Sequence, residues 1–353
     1  MQPGLQSGCF TALATPFDKN GSVDYDGLEK IVAFQIENGI DGILAVGTTG
    51  ESPTLSWDEH IRIIDVIAAA TRGRCKCIAG TGSNNTAEAV SATGHAAKAG
   101  CDAVLLVDPY YNGPSSLEIR REYIEPVARE YPDMAVIPYV IPGRTGTQLL
   151  PEDLAIAYKQ YPNVGYVKEA TGNFDNMRRT RACCGKDYVM YSGDDPLAFG
   201  MMTDPEIGAV GMISVMSNVA PGPCSEMVRR IMAGDVAEAR RLNDRMMPLF
   251  NAVTISTREQ TPFGEVMCRA RNPVPLKALM HMLGMINGSC RRPLGKMSRK
   301  GLESLLEAAR RVHSESPEIL APSGQFFNAD VDNRLNDPQL EEQYYNDLCY
   351  PEY

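Results

Sequence analysis

The sequence predicts an α/β protein: a (β/α)8 TIM barrel followed by a C-terminal helical appendage and an acidic tail. Short apolar runs of strand length alternate with longer segments of helical periodicity, and eight such runs precede residue 234. A region of about 235 residues is close to the typical size of this barrel. A doubly wound sheet is the alternative, but no G-x-G-x-x-G motif follows the first run.

The eight predicted strands are short apolar segments separated by glycine, proline and polar residues. They cover residues 9–14, 42–46, 77–79, 103–107, 135–138, 165–168, 189–192 and 209–213. Under the two-residue period of a strand, Val164, Tyr166 and Lys168 fall on one face of the sixth strand. A lysine is therefore predicted at the inward-facing end of a barrel strand.

The helices between the strands have recognisable start signals. Ser56 and Ser115 are each followed three residues later by glutamate, which is the capping-box pattern, and Asn85 begins a variant of it. Pro151 is predicted in the first turn of another helix, where proline is favoured.

The chain is predicted to divide into three regions. Residues 1–234 form the catalytic barrel, and residues 235–313 form a C-terminal helical domain whose amphipathic helices are interrupted by an extended loop that includes 254–270. Residues 314–353 form an acidic tail with the proline, glycine and charge typical of disorder. Because this tail also carries aromatic residues, among them Tyr353, docking on a neighbouring subunit is the alternative.

Composition excludes several classes of function. The net charge is −10, and the segment 314–353 alone holds nine acidic residues against one basic residue, so no basic surface for nucleic acid is predicted. No apolar run approaches the roughly 18 residues of a membrane span, and the N-terminus lacks the pattern of an export signal. The ten cysteines show neither zinc-site spacing nor a disulfide framework. A cytoplasmic protein without a metal is expected.

Unusual polar residues follow several strands, at the end of a barrel where active sites are built. The sequence GTTGE (47–51) follows the second strand, DPYYNGP (108–114) the fourth, YVIPGRTG (139–146) the fifth and SGDDP (192–196) the seventh. Each has a structural alternative: GTTG is also typical of a turn, and Asp194 and Asp195 before a proline favour a helix cap over a carboxylate pair.

Lys168 is harder to explain as a structural residue. Burial in a barrel disfavours the charged amine and lowers its pKa, and a shift from about 10.4 to between 7 and 8 corresponds to roughly 4 kcal/mol. Such a lysine is a nucleophile that condenses with a ketone to form an iminium, so no external cofactor is required. The structural alternative is a salt bridge to a barrel carboxylate.

These motifs together resemble the dihydrodipicolinate synthase family of the pyruvate-dependent class I aldolase superfamily. The resemblance covers roughly residues 6–312, and only the segment 254–270 is longer than usual for the family. It is carried by GTTGESPTLSWDEH, AGTGSNNTAEA, PYYNGPS, YVIPGRTG, KEATGN, YSGDDPL, GMISV and NPVPLKALMHMLG.

The resemblance implies a lyase that condenses pyruvate with L-aspartate 4-semialdehyde through a lysine Schiff base, in the diaminopimelate route to lysine. It implies the following roles: Lys168 as the Schiff-base lysine; Tyr139, Thr48 and Tyr111 as a proton relay, with Tyr111 crossing a dimer interface; Thr48 and Thr49 on the pyruvate carboxylate; Arg144 on the aldehyde's carboxylate; and Ile213 beside the imine.

The resemblance further implies a homotetramer built as a dimer of dimers, or a homodimer, with an L-lysine inhibitor site. That site matches Ser52, Trp57, His60, Asn84, Glu88 and Tyr110, although His60 also fits a solvent-facing position. Two other functions are open: another Schiff-base aldolase, either N-acetylneuraminate lyase or a 2-keto-3-deoxy sugar-acid aldolase, and a non-catalytic sensor of a keto acid or lysine.

Overall fold

A computed structural model describes residue 5 and residues 7–351, and eight of its strands close into a parallel barrel in sequence order. The closed barrel confirms the predicted fold class and excludes the doubly wound sheet. Its strands are β1 (Gly8–Ala12), β2 (Gly42–Ala45), β3 (Lys76–Gly80), β4 (Ala103–Val107), β5 (Ala135–Val140), β6 (Tyr166–Glu169), β7 (Val189–Ser192) and β8 (Gly211–Ser214).

Helices connect the strands on the outside of the barrel. They are α1 (Tyr25–Glu37), α2 (Trp57–Thr71), α3 (Thr86–Ala99), α4 (Ser116–Glu118), α5 (Glu125–Glu130), α6 (Pro142–Thr145), α7 (Pro151–Gln160), α8 (Phe174–Cys184), α9 (Asp195–Thr203) and α10 (Pro221–Met232). A π-helical stretch, Ile119–Ile124, joins α4 to α5. Both predicted capping boxes form, and Asn85 caps α3 as expected.

The barrel interior is a packed apolar core that stops short of one end. Phe10 and Tyr191 meet edge to face inside it, with ring centroids 5.2 Å apart. Tyr166 belongs to the same interior cluster, which confirms the inward face predicted for β6. Lys168 lies two residues beyond Tyr166, so it comes at the C-terminal end of the barrel, above this core.

The C-terminal region contains helices and one unexpected hairpin. It comprises α11 (Val236–Asn251), β9 (Thr254–Thr261), β10 (Gly264–Arg271), α12 (Val274–Met282) and α13 (Arg299–Glu315). The predicted loop is therefore wrong, because β9 and β10 pair in antiparallel register around a two-residue turn. In β9 polar side chains occupy both faces, so this strand lacks the alternation of apolar and polar residues by which strands are recognised.

The acidic segment is helical and packs on its own chain, which corrects the expectation of disorder. It forms α14 (Ala321–Phe327), α15 (Val331–Asn336) and α16 (Pro338–Leu348). Phe326 and Phe327 pack their rings against Phe34 of α1, each 5.4 Å between centroids. Arg334 donates to the carbonyls of His281 and Met282 at the end of α12. Tyr353, counted among the tail aromatics, lies outside the described residues.

The cysteines form no disulfide among the described residues. All ten cysteines are free thiols, and five of them are buried. Within residues 7–351, no helix combines the length and the apolar character needed to cross a membrane.

Candidate active site

Lys168 lies at the end of β6 with only 4% of its surface exposed. Its Nζ is 4.4 Å from the centroid of the Tyr139 ring. Burial lowers the pKa of the amine to about 8, an effect that the nearby Asp195 and Asp194 oppose. The salt-bridge alternative gains no support, because none of the ion pairs among the described residues includes Lys168. The amine is therefore neutral in a substantial fraction of molecules near pH 8.

Tyr139 stands beside this lysine on β5, where the two residues are partners in the parallel register. Burial raises the pKa of its phenol to about 12, although a hydrogen bond with the Thr48 side chain lowers it in part. The phenol consequently stays protonated at neutral pH and can both give and receive a proton beside the amine.

The loop after β2 holds Thr48 and Thr49 in a conformation that depends on the C-terminal region. Asn272 donates from Nδ2 to the Thr49 hydroxyl at 3.0 Å. Glu51, at the end of the loop, accepts a 2.6 Å hydrogen bond from the fully buried amine of Lys277. The loop is therefore more than a local turn, because side chains more than two hundred positions away hold it in place.

Arg144 lies in α6, directly after β5, and lines a cavity of about 230 Å³ together with Thr48 and Tyr139. Its Nη2 donates to the Asn272 carbonyl at 3.0 Å. Burial lowers the pKa of Arg144, and the positive charge of Arg271 lowers it further. Arg144 thus borders the same cavity as Thr48 and Tyr139, two of the three residues of the predicted relay.

Asp194 and Asp195 do not cap their helix, so that interpretation is wrong. Asp194 occupies the position before α9 without a side-chain hydrogen bond to the helix. The Asp195 carboxylate accepts from the backbone amides of Val215 and Met216, after β8. Burial raises the pKa of both carboxyls, that of Asp194 to about 6. Both carboxylates instead act on Lys168, where their negative charges raise the pKa of the amine.

Two other predicted residues occupy different environments. Ile213 is fully buried in the barrel interior on β8, in the same apolar cluster as Tyr139. Tyr111 is 74% exposed, so within this chain its side chain projects outward. The structure therefore brings Lys168, Tyr139 and Thr48 together but leaves Tyr111 on the surface.

The residues predicted to bind an effector form connected pairs. His60 Nε2 is 3.2 Å from the Ser52 hydroxyl, and its ring packs against Trp57 at 4.9 Å between centroids. The solvent-facing interpretation of His60 is wrong, because the residue is buried and burial lowers its pKa to about 4. Trp57 and Glu88 line a cleft of about 790 Å³ on the outside of the barrel.

Asn84 holds the loop after β4 in place. Its Oδ1 accepts hydrogen bonds from the backbone amides of Tyr110 and Tyr111. Glu88 is anchored separately by a 2.5 Å hydrogen bond from Ser83. These contacts place Tyr110 at the border between the barrel cavity, which it lines, and the exposed Tyr111.

Sequence reasoning missed Asn272, Arg271 and Lys277, which complete the site from the C-terminal region. Arg271 lies at the end of β10 and donates to the Gly143 carbonyl at 3.1 Å. No strand-end rule indicates such residues, because they lie outside the barrel repeats. Asn272 and Lys277 begin and end the motif NPVPLK, which contributes to the family resemblance but does not by itself indicate a site.

Known proteins match this chain along most of its length. The model of the Dihydrodipicolinate synthetase family matches residues 5–311. A 4-hydroxy-tetrahydrodipicolinate synthase of Pseudomonas aeruginosa is 40% identical over 309 residues, which are 87% of this chain and 98% of that protein.

Solved structures agree with the sequence matches. A dihydrodipicolinate synthase from Acinetobacter baumannii, described as chloride-inhibited and complexed with pyruvate, has a TM-score of 0.78 and 35% identity over 87% of this chain and 99% of its own. A relative from Cyanidioschyzon merolae with lysine bound has a TM-score of 0.78 and 36% identity over 87% of this chain and 98% of its own.

Proposed function

The chain belongs to the dihydrodipicolinate synthetase family, whose lyases condense pyruvate with L-aspartate 4-semialdehyde, and we propose that Lys168 forms the Schiff base in that reaction. Its activity is that of a 4-hydroxy-tetrahydrodipicolinate synthase, on the diaminopimelate route to lysine. The observation that carries the role of Lys168 is its burial at the end of β6, with a pKa lowered to about 8 beside Tyr139.

The reaction begins with attack of the neutral Lys168 amine on C2 of pyruvate. The resulting carbinolamine loses water to give an iminium, and loss of a methyl proton converts the iminium to an enamine. The enamine carbon then bonds to the aldehyde carbon, and the alkoxide formed is protonated. The amine of the aldehyde substrate finally attacks the imine carbon and displaces Lys168 as the ring closes.

Tyr139 and Thr48 are proposed to carry the protons for these steps. The Tyr139 phenol remains protonated, lies beside the amine and has a hydrogen bond with Thr48. Tyr111 is assigned to the same relay across an interface between two subunits, because its own side chain is exposed. The proposal therefore includes a homodimer, or a homotetramer built from two such dimers.

The two substrate carboxylates are assigned to different residues. The Thr48–Thr49 loop receives the pyruvate carboxylate, because Thr48 lines the cavity and Asn272 holds the neighbouring Thr49 hydroxyl. Arg144 receives the carboxylate of the aldehyde substrate, because a guanidinium matches a carboxylate with two parallel donors. The backbone carbonyl of Ile213 is assigned a position near the bound imine.

L-lysine is proposed as an inhibitor that binds the cleft beside Trp57 and Glu88. A relative with 36% identity is described with lysine bound, which supports a lysine site in this family. Glu88 provides a carboxylate for an amino group of lysine, and the indole of Trp57 provides a face for its aliphatic chain.

Reductive trapping tests the proposal directly. Borohydride added in the presence of pyruvate should leave an irreversible adduct on Lys168, located by peptide mass spectrometry, with trapping that increases as the pH rises towards about 8. Lys168→Ala should abolish both the adduct and turnover. Lys186→Ala, which removes an exposed lysine, is the control.

A wild-type chain that carries no adduct after trapping, or an adduct on another lysine, would contradict the mechanism. A coupled assay with pyruvate and L-aspartate 4-semialdehyde, repeated with N-acetylneuraminate, separates the proposed reaction from the other aldolases. A sensor without turnover would show no product in either assay.

A further inference from the structure

Arg271 lies close to the active site, on an element that the barrel repeats do not contain, and its charge acts on both Tyr139 and Arg144. It is the last residue of β10, on the exposed hairpin between α11 and α12. The next residue, Asn272, is buried and holds the carboxylate-binding loop through Thr49. The hairpin therefore ends directly at the proposed substrate site.

Two reciprocal hydrogen bonds join this strand end to α6. Arg144 Nη2 donates to the Asn272 carbonyl at 3.0 Å, and Arg271 Nη1 donates to the Gly143 carbonyl at 3.1 Å. Gly143 and Arg144 are consecutive in the chain, and so are Arg271 and Asn272. A carbonyl of each pair therefore accepts a hydrogen bond from the arginine of the other pair. These two bonds hold Arg271 against α6, next to Arg144, which lines the cavity.

The donors of these two guanidiniums are far from fully used. The Nε of Arg271 is buried and has no hydrogen-bond partner. Among the described residues, neither Arg144 nor Arg271 forms an ion pair. Both arginines lower the pKa of the nearby Asp194, which at about 6 leaves that carboxylate ionised at neutral pH. Asp194 nevertheless forms no ion pair with either arginine, so both guanidiniums keep donors for an added anion.

We propose that Arg271 is a second carboxylate-binding residue, which together with Arg144 captures the carboxylate of the aldehyde substrate. This inference depends on the proposed function, because it takes the aldehyde to be an amino acid semialdehyde with a free carboxylate. Two adjacent guanidiniums, partly shielded from water, attract that group more strongly than a single arginine does. The hairpin thereby acts as a specificity element for the second substrate.

A purely structural role would make Arg271 a clamp between the hairpin and α6. That role requires only the bond from Nη1 to the Gly143 carbonyl, and a glutamine amide can supply a donor there. In the structure that bond uses only Nη1 of Arg271, and the buried Nε has no hydrogen-bond partner. The two roles also differ in kinetics, because a clamp affects both substrates whereas a carboxylate-binding residue affects the aldehyde alone.

The test compares Arg271→Gln with Arg269→Gln, which removes an exposed arginine from the same strand. Arg271→Gln should raise the KM for L-aspartate 4-semialdehyde about 10-fold or more, the effect of losing one charge-assisted hydrogen bond. The KM for pyruvate and the rate of borohydride trapping at Lys168 should stay within twofold of wild type. Arg271→Lys should recover part of the loss, and Arg269→Gln should behave as wild type.

An unchanged aldehyde KM in Arg271→Gln would overturn the inference, and so would an equal rise in both KM values. Failure of the proposed function has a different signature, because wild-type protein would then form no product from pyruvate and the semialdehyde. Normal pyruvate trapping in Arg271→Gln also shows that the variant is folded, so a selective aldehyde defect cannot arise from misfolding.

Discussion

Tyr139 and Lys168 are register partners on neighbouring parallel strands, and the lysine amine lies 4.4 Å from the centre of the tyrosine ring. Both side chains are buried, so the amine loses hydration while the phenol retains its proton. The pairing places a nucleophile and a proton donor together without a metal ion or cofactor in the proposed chemistry.

Lys168→Met should stabilise the fold at pH 7. The pKa of Lys168 is about 8 in the folded protein against 10.5 for the free side chain, so folding disfavours the protonated amine by up to about 3 kcal/mol. This penalty is complete below pH 8 and disappears as the pH rises past 10.5, because the unfolded chain binds more protons only up to that point. Chemical denaturation should show that the variant's gain in free energy of unfolding over wild type is smaller at pH 10.5 than at pH 7. An equal gain at both pH values would contradict the prediction.

Tyr139→Phe should slow turnover by about 10²- to 10⁴-fold, the usual contribution of a positioned proton donor. The variant keeps the ring beside Lys168, so the fold and the lowered lysine pKa should persist. Stopped-flow measurement of imine formation with pyruvate is the appropriate assay. Tyr350→Phe, in the exposed C-terminal segment, is the control. A near-normal rate would remove Tyr139 from the proposed relay.

Arg144→Ala should impair use of the aldehyde more than use of pyruvate. The guanidinium lines the cavity but is not required for attack of Lys168 on the keto acid. Loss of the carboxylate contact should raise the aldehyde KM by about 10-fold or more. The measurement is steady-state kinetics with each substrate varied in turn. If imine formation falls as much as aldehyde use does, the assignment is wrong.

Glu88→Gln should weaken inhibition by L-lysine, because the variant lacks the carboxylate proposed to bind an amino group. We expect the half-inhibitory concentration to rise about 10-fold or more, with basal turnover unchanged. Glu29→Gln changes an exposed glutamate on α1 and is the matched control. Wild-type protein that millimolar lysine does not inhibit would refute the effector site.

Phe327→Ala should destabilise the fold by about 3 kcal/mol or more, because it removes a buried ring that packs on Phe34 and beneath the Lys30 amine. Thermal unfolding should show the loss, whereas trapping of pyruvate at low temperature should be unaffected. Phe263→Ala at the exposed tip of the hairpin is the control and should change stability by less than about 0.5 kcal/mol. Equal effects would mean that α14 is not packed on α1.

The barrel and the polar residues at its strand ends are predictable from short stretches of sequence. Strand-length apolar runs, capping boxes and the inward position of Lys168 are local patterns, since each involves neighbours a few positions apart. Tyr139, Arg144 and the Thr48–Thr49 loop also lie at predicted strand ends, but their roles follow from the family resemblance of the motifs around them. Local signals locate the face of the site, because a parallel barrel brings successive strand ends together.

Contacts between distant parts of the chain determine which further side chains complete that face. Lys277 and Glu51 pair across 226 positions of sequence, and Asn272 reaches Thr49 across 223. The hairpin and the helical tail were predicted wrongly for a related reason. Polar residues cover both faces of β9, and Phe327 and Tyr344 of the tail are buried by packing against Phe34 of α1 and His281 of α12. Such contacts depend on where the folded barrel places its surfaces, which no short stretch of sequence records.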